Sequence, residues 1–238
     1  MDKSKIGQHI SGQFNKELED IRNNVLTMGG LVEQQIEQAV EAFMTGDIEM
    51  AELVIKQDNQ VDALEMLIDQ ECMQILALRQ PAAFDLRLLI TVIKTINELE
   101  RVGDMAERIA EMAMRLTDTD TTKHDQYYEL QHMADLVRDM LHGALDAFAR
   151  MSIEEVAAIT GRDEYVDREY GSIIRQLITR MMEDPRNITR TLDVLWTARA
   201  LERIGDHSVN ICENIIYMVK GEDVRHMTQA ELEKKIKG

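Results

Sequence analysis

The chain predicts an all-α fold of two tandem, sequence-related three-helix bundles built from six long helices. Three observations carry that expectation. Helix breakers are scarce, with 2 prolines and 12 glycines in 238 residues, while Leu, Ile, Met, Ala, Glu and Arg abound. Apolar residues recur at helical spacing over long stretches. The chain also repeats itself: Leu99-Glu100-Arg101-Val102-Gly103-Asp104 returns as Leu201-Glu202-Arg203-Ile204-Gly205-Asp206.

The repeat extends well beyond that hexapeptide. Leu31-Val32 matches Leu136-Val137, and Ala42-Phe43 matches Ala147-Phe148. Asp58-x-x-Val61-Asp62 matches Asp163-x-x-Val166-Asp167, all at an offset of 105 residues. Pro81 matches Pro185 at 104, and the hexapeptides match at 102. The offset shrinks near turns, where deletions are tolerated.

Each element has its own justification. The first helix runs from about Ile6 to Met44, and Gly29-Gly30 offers a point of bending or interruption. Gly46-Asp47 turns the chain, with Asp47 as N-cap. The second helix runs to about Arg79 and stops at Gln80-Pro81, because the residue before proline avoids helical geometry. The third covers about Ala83 to Leu116, with Leu86, Leu89, Ile90, Ile93 and Ile96 on a broad apolar face. The polar run Asp118-Thr119-Asp120-Thr121-Thr122 links the halves. The fourth helix covers about His124 to Arg150. Ser152-x-x-Glu155 reads as a capping box opening a fifth, which Asp184-Pro185 closes. The sixth runs from about Asn187 to Lys220, with Gly221 as C-terminal cap. Thr228-x-x-Glu231 starts a short, charged and frayed final helix. The expected units are therefore residues 1–118, residues 119–221 and a tail of 222–238. Short turns make neighbouring helices antiparallel, and the halves form either two joined bundles or an open continuous array.

Charge narrows the function. With 44 acidic against 27 basic residues, the net charge is −17. Such a chain repels phosphate backbones, so nucleic-acid binding is not expected. No signal peptide and no span of roughly 18 apolar residues is visible, so membrane insertion is not expected. Cys72 and Cys212 lie singly on helical segments and read as buried thiols of a reducing compartment. The expected location is the cytoplasm.

Counting from the prolines places the acids. Asp62 lies 19 residues before Pro81 and Glu100 lies 19 after it; Asp58 and Asp104 lie 23 before and after. Antiparallel helices rise equally per residue, so residues equidistant from the turn come level. Asp163, Asp167, Glu202 and Asp206 repeat the arrangement around Pro185 within one residue. Each hairpin thus carries a candidate quartet of carboxylates. Oxygen-only donors suit hard cations such as Mg²⁺, Mn²⁺, Ca²⁺ or oxidised iron, singly or in a multinuclear cluster. The alternative is a solvated acidic face neutralised by Arg101 and Arg203. Gly103 and Gly205 would admit either a neighbouring helix or an ion with its waters.

Other motifs carry less. Glu129-x-x-His132 matches half of a di-iron signature but lacks a partner motif. His207 adjoins Asp206 but points about 100° away around the helix and has Met105 as its counterpart. Trp196 and Phe148 read as core residues. No phosphate-cradling glycine loop, nucleophile elbow or zinc spacing appears, so no enzyme is expected.

The paired hexapeptides, the two Asp-x-x-Val-Asp motifs and the duplicated three-helix plan resemble the PhoU family. His9-Ile10-Ser11-Gly12-Gln13-Phe14 and the stretch from Arg79-Gln80-Pro81 to Asp85-Leu86-Arg87 are similar to its enterobacterial and pseudomonad members. The resemblance implies a cytoplasmic negative regulator of the phosphate-starvation response that also modulates phosphate uptake. It implies an adaptor between the Pst transporter, through its ATPase PstB, and the PAS domain of the histidine kinase PhoR, holding off the response regulator PhoB. It also implies a homodimer, and metal clusters on Asp58/Asp62, Glu100/Asp104, Asp163/Asp167 and Glu202/Asp206. The competing expectation is a metal-storage protein or metal-dependent enzyme on the same carboxylates.

Overall fold

The computed structural model describes residues 12–117 and 128–237, almost wholly helical. Eight helices follow in order: α1 Gly12–Thr45, α2 Ile48–Arg79, α3 Ala83–Thr117, α4 Tyr128–Arg150, α5 Val156–Thr160, α6 Asp163–Glu183, α7 Ile188–Lys220 and α8 Gln229–Lys237. The expected helix starts at Ile6 and His124 and the expected linker at Asp118–Thr122 lie outside the described residues.

Local chemistry sets most of the ends. Asp47 accepts from the Met50 amide at 3.0 Å and opens α2. Gln80 closes α2 in the left-handed region at φ 48°, where proline follows. Asp184 accepts from the Arg186 amide at 3.1 Å, and a single 3-10 turn at Pro185–Asn187 leads into α7. Gly221 adopts φ 75° and donates to the Tyr217 carbonyl, ending α7.

Three expectations change. Gly29-Gly30 does not interrupt α1, which is helical throughout. The expected single helix from Ser152 to Asp184 is broken into α5 and α6 near Gly161. Its capping box does not form: Ser152 Oγ accepts from the Glu154 amide, and Glu155 makes no side-chain cap. The broken segment serves the tail. Gln229 of α8 accepts from Thr160 Oγ1 at 3.0 Å and donates to the Ala157 carbonyl at 2.8 Å. Thr228 and Glu231 do form their reciprocal cap, and Leu232 is buried. The final helix is therefore docked rather than frayed.

The helices make two three-helix bundles that share a broad interface. In the first, α1, α2 and α3 pack on one another; in the second, α4, α6 and α7 do the same. Across the halves α1 packs on α4, and α3 packs extensively on α7. The inner helices α1, α3, α7 and α4 thus enclose a common core, with α2 and α6 on opposite outer sides. Leu18, Met28, Ile36, Phe43, Leu88, Ile96, Leu99, Ile109 and Phe148 fill it, each at most 1% exposed.

The inter-half pairs are antiparallel. Arg22 donates to the Ala149 carbonyl, while Glu33 meets His142 and Glu37 meets Arg138. Arg87 donates to Met218, Thr91 to Asn214, and Glu98 pairs with His207. Both sets run in opposite senses, so an approximate two-fold axis relates the duplicated halves. Gly29 permits the α1–α4 approach, since a Cβ there would lie 2.6 Å from a Leu145 methyl.

Candidate functional site: two carboxylate seams

The first seam lies where α2 crosses the hexapeptide of α3. Asp58 is buried on α2 and sits over Gly103; a Cβ on that glycine would lie 3.0 Å from Asp58 Oδ1. Glycine leaves room for a carboxylate and for Val61 of the neighbouring helix. Asp58, Asp104 and Glu107 can each place an oxygen within 4.8 Å of the others. Glu100 feels Asp104, Glu65 and Asp62, so the acids equidistant from Pro81 share one field.

Two seam residues lie beyond the quartet read from the motifs. Glu107 follows Asp104 by three positions and completes the group. Gln35 of α1 is 1% exposed and donates to Asp58 Oδ1 at 3.3 Å. Its own Oε1 is buried and makes no hydrogen bond. The i, i+3 spacing to Asp104 was the available signal for Glu107. Repeat matching hides both, since their counterparts are Val209 and Met140.

The second seam repeats the plan with fewer acids. Asp163 opens α6 and approaches Gly205, whose Cβ would lie 3.4 Å from Asp163 Oδ1. Asp163 feels Asp167, Asp206 and Glu202. Glu202 Oε1 accepts from Arg199 at 2.7 Å, and Glu202 Oε2 is buried without a hydrogen bond.

Burial and mutual repulsion act together on these groups. Burial, then the neighbouring Asp167, Asp206 and Glu202, push the Asp163 carboxyl up to about 6. Burial first and neighbouring carboxylates second also raise Glu100 and Glu107. Burial raises Asp58 against its hydrogen bond from Gln35, with Asp62 and Asp104 reinforcing the shift. Glu202 and Asp206 rise mainly through burial, against the opposing charge of nearby arginines. Anionic seams that resist full ionisation are suited to a hard cation, which would supply the missing positive charge. The orphaned oxygens of Gln35 and Glu202 fit that role, because each is a buried donor atom without a partner.

The remaining sequence candidates fall elsewhere. His207 is 4% exposed and places Nδ1 2.7 Å from Glu98 Oε2, to which Asn210 also donates. Burial works to raise Glu98, but the bonds to His207 and Asn210 outweigh it and hold the carboxyl below its usual range. Glu129 accepts from Gln176 and His132 meets Glu169, so both tie α4 to α6 at the surface. Phe148 is core as expected; Trp196 is not, being 59% exposed. Cys72 and Cys212 are both buried, and burial drives the Cys72 thiol up to about 12, keeping it unreactive.

Fold and site together define a class: a duplicated all-α double bundle with an oxygen-donor seam on each flank. Among the described residues no helix is long and apolar enough to cross a membrane. The PhoU domain family matches residues 25–113 and 130–215, one match in each half. The phosphate-specific transport system accessory protein PhoU of Escherichia coli strain K12 is 47% identical over 243 aligned positions, spanning 100% of this chain and 98% of that protein. The Pseudomonas putida homologue is 46% identical over 238, spanning 100% and 93%. The crystal structure of PhoU from Pseudomonas aeruginosa superposes with a TM-score of 0.84 at 46% identity, covering 88% of this chain and 100% of that one. The phosphate transport system regulatory protein PhoU from Streptococcus pneumoniae gives 0.81 at 31% identity, covering 89% and 99%. The chain belongs to the PhoU family.

Proposed function

We propose that this protein is a non-enzymatic, cytoplasmic regulator of phosphate transport that restrains the phosphate-starvation response when phosphate is plentiful. It acts as an adaptor, linking the Pst transporter through PstB to the PAS domain of PhoR. One observation carries the reading: similarity at 47% identity runs over the whole chain to a protein named as an accessory of the phosphate-specific transport system. Deleting the gene should leave a phosphate-starvation reporter switched on in phosphate-rich medium, and supplying the gene in trans should restore repression. Normal repression in the deletion strain would remove the proposal.

The carboxylate seams serve this adaptor by holding hard cations. Asp58, Asp62, Glu100 and Asp104, with Glu107 and Gln35, form the first site; Asp163, Asp167, Glu202 and Asp206 form the second. An ion there neutralises facing anions and locks α2 to α3 and α6 to α7. The protein works as a homodimer, which light scattering of the purified chain checks. Elemental analysis followed by pull-down of PstB and PhoR, with and without chelator, separates a regulatory ion from a structural one. A storage protein or metal-dependent enzyme would keep its metal content but show no partner binding in either condition.

A further inference from the structure

We propose that the groove between the C-terminal half of α3 and the N-terminal half of α7 is a docking site for an acidic segment of a protein partner. The groove has a volume of about 550 Å³. Five arginines line it, Arg101, Arg108 and Arg115 from α3 and Arg199 and Arg203 from α7, together with Trp196. Only two acids, Asp104 and Glu111, join them. The surface is therefore locally cationic on a chain whose net charge is −17.

These arginines are not occupied by the fold. Arg101, Arg108, Arg115 and Arg203 make no side-chain hydrogen bond or ion pair among the described residues. Arg199 alone is engaged, with Glu202 at 2.7 Å and over the Tyr170 ring. All five are exposed. Two-fold equivalence offers no structural reason for the cluster. The counterparts of Arg108, Arg115 and Arg199 are Asn210, Tyr217 and Asn97, so only one end of the α3–α7 interface carries it.

The spacing selects the class of ligand. Arg101, Arg108 and Arg115 recur every seventh residue, a stripe along one helix face extending about 21 Å. A compact anion such as inorganic phosphate needs donors converging on a point, which a stripe does not supply. Asp104 and Glu111 interleave with the arginines and penalise a continuous polyanion such as nucleic acid. A segment bearing carboxylates at intervals, with apolar side chains between, matches both the stripe and the exposed indole. Arginine and tryptophan are also the residues that dominate binding energy at protein interfaces. This inference goes beyond the phosphate role, and the groove borders the first carboxylate seam at Asp104.

Trp196 is the single tryptophan of the chain and reports on its own groove. The test titrates the full-length protein with a synthetic helical peptide of about 18 residues, long enough to span the stripe, carrying Glu at every seventh position beside Leu. A saturable blue shift of Trp196 emission is expected, absent with a peptide in which Gln replaces Glu. The double variant Arg108→Glu/Arg115→Glu should weaken binding at least tenfold, while Arg168→Glu/Arg175→Glu on α6 changes it less than twofold. Circular dichroism establishes that both variants fold, and Arg108→Gln/Arg115→Gln, which adds no negative charge, should give an intermediate loss. Equal binding of the Gln peptide, or equal loss in the α6 variant, overturns the proposal. So does an equal Trp196 shift with phosphatidylglycerol vesicles, which assigns the groove to a membrane surface, or with millimolar inorganic phosphate, which assigns it to a small anion.

Discussion

Gly103 and Gly205 occupy equivalent places, yet the space above them differs. A methyl at Gly103 would press on Asp58 Oδ1 at 3.0 Å, whereas at Gly205 the nearest atom lies at an ordinary 3.4 Å. Alanine gains about 1 kcal/mol of helix propensity at either position. At Gly103 that gain is opposed by crowding of a buried carboxylate, which costs about 1–3 kcal/mol. In chelator, Gly205→Ala should match or exceed the wild-type melting temperature, and Gly103→Ala should fall below it. The carboxylates supply a second expectation. Asp163 binds its proton up to about pH 6, above its unfolded value, so the folded chain holds more protons than the unfolded one in that window. Metal-free stability therefore rises as pH falls from neutral through about 6, and is lost again as pH climbs. Thermal unfolding in chelator should give a higher midpoint at pH 5 than at pH 7.5, with a smaller difference for Asp163→Asn. Hard divalent cations should raise the pH 7.5 midpoint, because they compete with those protons.

At the scale of elements, close approach and docking govern what sequence patterns reveal. The long helices, their turns and the level acids were legible because periodicity, prolines and caps are local signals. Gly29-Gly30 does not interrupt the helix, and the use of Gly29 is interhelical: Leu145 of α4 sits where a side chain would be. Gly29→Ala should therefore lower the melting temperature by displacing Leu145, and Leu145→Ala in the same chain should recover part of that loss. Equal melting of Gly29→Ala and wild type would show that α1 and α4 are less tightly apposed. The break between α5 and α6 was illegible for the same reason. The helix end at Gly161 is met by α8, which binds Thr160 and Ala157 from a distant part of the chain. Glu107 and Gln35 are not legible in the repeat because each is present in one half only. Trp196 departs from the core expectation because an apolar residue at helical spacing gives no sign of which face its neighbours leave open.

At the scale of the molecule, duplication and the approximate two-fold axis make each half the other's partner. The faces of α1 and α3 that meet α4 and α7 include Thr91, buried and donating to the Asn214 carbonyl. A fragment of residues 1–118 exposes that face. It is expected to self-associate at micromolar concentration, one copy standing in for the missing half; sedimentation velocity checks this, and a stable monomer would contradict it. The same pairing of α3 with α7 sets a timetable for biosynthesis. Contacts such as Arg87 with Met218 and Glu98 with His207 join residues more than a hundred positions apart. Once α3 has been made, its mate is complete only after the ribosome reaches Lys220, about 5–20 s later at ordinary elongation speeds. Through that interval the nascent chain presents an unfinished apolar surface, so its yield of folded protein is expected to vary with translation tempo and with chaperones at the tunnel exit.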